Sequence, residues 1–91
     1  MDRNEALRLL KGGSEGVAEW NRWRKAGDEI PDLSRADLRE ADLSGANLSR
    51  ANLSESKDLT QWQVEFATGD DKTKLPQGII RPKHWTKAPT K

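Results

Sequence analysis

The chain has 91 residues, 33% of them hydrophobic and 34% charged, and its 16 basic and 15 acidic side chains leave a net charge of +1. That length and composition point to one small domain with little material for a core. The absence of cysteine excludes a disulfide framework and a thiolate metal site, and no apolar run is long enough for a signal peptide or a membrane span, so a cytoplasmic protein is expected.

Residues 1–30 read as a helical cap. Asp2 and Glu5 have capping-box spacing, with aspartate in the place of serine or threonine, and Ala6, Leu7 and Leu10 share one helical face before Gly12-Gly13 stops the run. Ser14 is placed to cap a second helix, in which Val17, Trp20, Trp23 and Arg24 recur at three- and four-residue steps. Arg22, Arg24 and Lys25 suit its C-terminal dipole, and Gly27 ends it. Trp20 and Trp23 are expected to cover the open end of whatever follows.

Residues 31–59 carry the organising pattern. Leucines fall at Leu33, Leu38, Leu43, Leu48 and Leu53, with Ala36, Ala41, Ala46 and Ala51 two residues before the last four. A step of five advances about 500° on a helix and scatters the leucines around it, while on a flat strand it throws alternate leucines to opposite faces. Equivalent burial of all five requires the chain to turn a corner once per block. The Asp or Asn before each leucine suits such a bend, because its side chain bonds nearby backbone.

The blocks Ala36-Asp37-Leu38, Ala41-Asp42-Leu43, Ala46-Asn47-Leu48 and Ala51-Asn52-Leu53 resemble the pentapeptide-repeat family, with Pro31-Asp32-Leu33 an imperfect match and Ser56-Lys57-Asp58-Leu59 a lengthened one. Trp20-Asn21-x-Trp23-Arg24 before the repeats, and Thr73-Lys74-Leu75-Pro76-x-Gly78 with Pro82-x-His84-Trp85 after them, resemble the flanks of many members. The resemblance implies an all-β solenoid: a short right-handed quadrilateral β-helix of little more than one coil, closed by α-helical N- and C-terminal caps. The nine leucines and alanines would form its inward structural ladder. So short a ladder cannot stand alone, and its flanks must cap it or another copy must stack on it.

Residues 60–69 read as the C-terminal capping helix. Thr60 and Gln63 form a capping box, Leu59 and Val64 a hydrophobic staple, and Gly69 closes a helix over 61–68. Trp62 and Phe66 at i,i+4 are expected to pack on the far end of the coil. Residues 70–91 read as an extended basic tail, where Lys72, Lys74, Arg81, Lys83, Lys87 and Lys91 meet no acid after Asp71. Lys72, Lys74, Arg81, Lys83 and Trp85 are candidate binding residues in it. The four segments are expected to make one domain.

No catalytic constellation emerges. His84 is the only histidine, and Asp32, Asp37 and Asp42 recur around a turning chain instead of converging. The sequence therefore points to a non-enzymatic protein-interaction or scaffold module without cofactor, metal, small-molecule substrate or membrane, which binds a protein partner or assembles with itself by stacking coil ends. Two alternatives stand beside it. The family resemblance implies DNA mimicry toward type II topoisomerases such as gyrase, and the basic tail suits nucleic acid or another acidic surface, with Trp85 for stacking.

Overall fold

The computed structural model describes residues 1–27 and 29–85; Lys87 and Lys91 lie outside the described residues. Its elements are α1 (Arg3–Leu10), α2 (Gly13–Ala26), α3 (Gln61–Glu65) and a 3-10 turn at Lys83–Trp85. The Asp2 side chain accepts from the Glu5 amide at 2.8 Å and starts α1, which buries Ala6, Leu9 and Leu10. Leu7, assigned to that face from the sequence, is only partly buried. Gly12, not Ser14, occupies the cap position of α2 and offers no side-chain bond.

Between α2 and α3 the chain builds the same turn five times. In each, the Asp or Asn side chain accepts from the backbone N–H two residues on: Asp32 from Ser34, Asp37 from Arg39, Asp42 from Ser44, Asn47 from Ser49 and Asn52 from Ser54. The leucine carbonyl accepts from the amide three residues later, as Ala46 to Leu43 at 2.9 Å. The residue before that amide lies in the left-handed region: Arg35, Glu40, Gly45, Arg50 and Glu55 have φ of 62°, 62°, 76°, 63° and 59°. These corners direct Leu33, Leu38, Leu43, Leu48 and Leu53, with Ala36, Ala41, Ala46 and Ala51, into one core shared with Leu10, Val17 and Trp20.

The expected all-β solenoid is corrected here. The described residues contain no β-strand and no sheet; their regular elements are helical, and parallel pairing is confined to the isolated bridges Asp37 with Lys57, Asn47 with Thr68 and Asn52 with Lys74. The left-handed corners explain this. Each interrupts extended backbone once per block, so a bridge ends before a neighbouring residue can add to it, and a strand needs consecutive paired residues.

The helix expected as a terminal cap also sits elsewhere. Helix α3 occupies five residues instead of eight and lies between the bridge at Lys57 and those at Thr68 and Lys74, over the face built by residues 38–44. Beyond it, as far as Trp85, the chain is not the extended tail expected from the sequence. The Thr73 hydroxyl donates to the Leu48 carbonyl at 2.9 Å, the Trp85 indole donates to the Ala67 carbonyl at 3.0 Å, and both side chains are buried. Trp85 lies so close on Gly69 that a Cβ there would meet the ring at 2.5 Å. No helix among the described residues is long and apolar enough to cross a membrane.

Candidate functional site

The first pass of turns leaves backbone groups that flat pairing would have satisfied, and two side-chain amides, Asn21 and Gln63, take up several of them. On the α2 side, Asn21 donates to the Gly45 carbonyl and accepts from the Asn47 amide, both at 2.9 Å, as a neighbouring strand residue would. Trp20 and Arg24 donate to the Asn47 carbonyl at 2.8 and 2.9 Å. Arg24 sits 5.9 Å from the Trp20 ring centroid, and burial, then the Arg50 charge, lower its pKa. Trp20 is fully buried and Trp23 partly, their rings tilted at 5.3 Å.

On the α3 side the same work falls to Gln63. Its Nε2 donates to the carbonyls of Leu38 at 2.7 Å and Ala41 at 3.0 Å, while its Oε1 accepts from the Thr60 amide at 2.9 Å. Gln61 repeats the device outside, donating to the Ile80 carbonyl at 2.7 Å and accepting its amide at 2.9 Å. Gln63 and Val64 thus take the inward face of α3.

Trp62 and Phe66 are consequently turned out, against the sequence expectation that they pack on the coil. Trp62 is 72% exposed and Phe66 52%, with their rings edge to face at 4.7 Å. Ile80, held beside α3 by Gln61, is 75% exposed. Three of the four large exposed hydrophobic side chains among the described residues therefore gather at α3. Beside them runs an open groove of about 540 Å³, lined by Glu40, Ala41, Asp42, Leu43, Ser44, Thr60, Trp62, Gln63 and Phe66.

The candidate tail residues do not form one surface of that kind. Lys72, Lys74 and Lys83 are exposed, Arg81 is half-buried and donates to the Asp70 carbonyl, and Trp85 is buried where stacking on a base would require it open. His84 and Trp85 both reach the Ala67 carbonyl. Burial pushes the Asp70 carboxyl up, but bonds from Arg50, Thr73 and Lys72 outweigh it and hold it low. Asp32, Asp37 and Asp42 also sit low, through bonds from Ser34, Arg39 and Ser44 respectively. The turn bond from the backbone leads at Asp32, while at Asp37 and Asp42 the Arg39 guanidinium and the Ser44 hydroxyl come first and the turn bond second, so all three aspartates shape corners. No group of three or more His, Cys, Asp or Glu among the described residues could hold a metal ion.

Residues 32–60 match the family model described as pentapeptide repeats (8 copies). Over those residues the chain is similar to pentapeptide-repeat proteins. No curated protein and no solved structure matches the chain.

Proposed function

We propose that this protein is a non-enzymatic interaction module whose partner-binding surface is the groove beside α3. The observation that carries the reading is the exposed pair Trp62 and Phe66, set over a groove on a chain that buries two of its other three tryptophans, Trp20 and Trp85, with their indole N–H groups bonded. Clustered exposed apolar side chains rimmed by polar ones favour contact with another macromolecule.

Self-assembly by end-on stacking has less support, because α2 already occupies the backbone groups at Gly45 and Asn47. DNA mimicry needs free negative charge, whereas Asp37 is paired with Arg39 and Glu55 with Arg35. Nucleic-acid binding through the tail loses its stacking residue with Trp85 buried. The test is quantitative co-purification from the source cells with the intact chain and with a Trp62→Ser/Phe66→Ser chain as baits. A partner retained by the first and lost by the second is expected; identical recovery with both would overturn the reading.

A further inference from the structure

The chemistry of the groove narrows the class of partner. Its charged lining consists of Glu40 and Asp42, and no basic side chain among the described residues lines it. The adjoining depression is lined by Lys11, Asp37, Arg39, Glu40, Asp58 and Thr60. There Arg39 is committed to Asp37 through two bonds of 2.9 Å, while the Glu40 and Asp58 carboxylates make no hydrogen bond or ion pair with the described residues. An open aromatic ring attracts a cation over its face, and uncommitted carboxylates beside it supply the counter-charge.

We propose that the groove receives an extended segment of a partner protein that lays an arginine or lysine side chain on Trp62, with Glu40 and the Asp42 Oδ2, the oxygen that Ser44 leaves open, as its counter-charges. This rests on the reading of the groove as the interaction surface. A side chain of that kind suits the site twice over, since its methylene stem covers the exposed Phe66 ring while its charged head stays near the carboxylates and water. The groove is not enclosed, which suits a chain segment lying across it more than a small molecule buried within it.

The experiment is selection from a library of random dodecapeptides displayed on phage, using the intact chain as target and counter-selecting on the Trp62→Ser/Phe66→Ser chain. Selected peptides are then titrated by calorimetry, with far-UV circular dichroism confirming that each variant is folded. Peptides bearing arginine or lysine are expected. Their affinity should fall about five- to thirtyfold on Trp62→Ser. The Glu40→Gln/Asp42→Asn chain should bind them more weakly and with a flatter salt dependence. Asparagine at position 42 preserves the turn, as Asn47 and Asn52 do in their own blocks. Peptides that need Trp62 but carry no basic residue would overturn the cationic assignment and leave the interaction surface standing. Peptides indifferent to Trp62 and Phe66, or none at all, would overturn both. Light scattering that showed the intact chain dimerising, and the double variant not, would identify a second copy as the occupant and overturn the partner-segment proposal.

Discussion

Replacing Gln63 by leucine tests whether a side-chain amide holds α3 on the repeats. The glutamine is buried, and its Nε2 serves two carbonyls, those of Leu38 and Ala41, while its Oε1 caps Thr60. Leucine fills the space but leaves the Ala41 carbonyl and the Thr60 amide without the partners that Gln63 supplies, and the Leu38 carbonyl with only its turn bond from the Ala41 amide. At about 1–3 kcal/mol for each buried polar group left unsatisfied, with leucine's added burial offsetting part of the loss, Gln63→Leu should cost about 2–4 kcal/mol. For a domain of this size each kcal/mol moves the melting temperature about 4–8 °C, so a fall of at least about 8 °C is expected. Urea unfolding followed by circular dichroism measures it, with Glu65→Leu on the exposed side of α3 as the control, expected within about 0.5 kcal/mol. Gln63→Glu should cost more than leucine at neutral pH, because a carboxylate would face two carbonyls. If Gln63→Leu stayed within about 0.5 kcal/mol of the parent, the carbonyls would have other partners and the account of α3 would be wrong.

Left-handed corners give a pair of substitutions with opposite signs. Gly45→Ala forces a Cβ into φ 76° and should lose about 1 kcal/mol, whereas Arg50→Gly relaxes φ 63° and should gain about 0.5–1 kcal/mol in the same urea assay. The low carboxyls of Asp32, Asp37, Asp42 and Asp70 make the folded state bind fewer protons than the unfolded chain. Stability is therefore fully present above the ordinary aspartate value of about 3.9 and is lost as pH falls below it, through the lowered values of the folded state. Asp32→Asn/Asp37→Asn/Asp42→Asn should flatten that acid loss in melts across the pH series, because asparagine makes the same turn at positions 47 and 52. Gly69→Ala should unseat Trp85 from its 2.5 Å approach, cost at least about 2 kcal/mol and redden tryptophan emission.

The repeats were legible because five-residue spacing has one solution that buries every leucine, and the Asp or Asn at each corner names the bond that makes it. What the spacing could not convey is how the next pass of chain pairs. The bridging partners Thr68 and Lys74 lie outside the periodic stretch, after a helix that interrupts it. The expected strands did not form because four of the five left-handed corners belong to Arg35, Glu40, Arg50 and Glu55, residue types that carry no glycine-like signal for a break in extended backbone. Asp2 and Thr60 announced their caps through their own side chains. Asn21, Gln61 and Gln63 gave no comparable sign that their amides would replace backbone. One signal for the groove was present in the sequence. The staple of Leu59 and Val64 turns position 64 inward, and position 62, about 200° away around the helix, must then face out.

That outward face is not required by the fold. Helix α3 is held by Gln63 and Val64 beneath it and by Gln61 at its side, so polar residues at 62 and 66 would leave every one of these anchors in place. An exposed tryptophan forgoes most of the burial free energy that a core one gains, and Trp62 recovers only its edge contact with Phe66. Trp62→Gln/Phe66→Gln should accordingly change the unfolding free energy by no more than about 1 kcal/mol, the worth of such an aromatic pair. A loss of 3 kcal/mol or more, in the range of about 3–5 kcal/mol for truncating a buried aromatic, would mean that the pair serves the core. A small loss leaves the two rings answering to something outside the chain, and makes the same double variant a folded probe that lacks the binding surface.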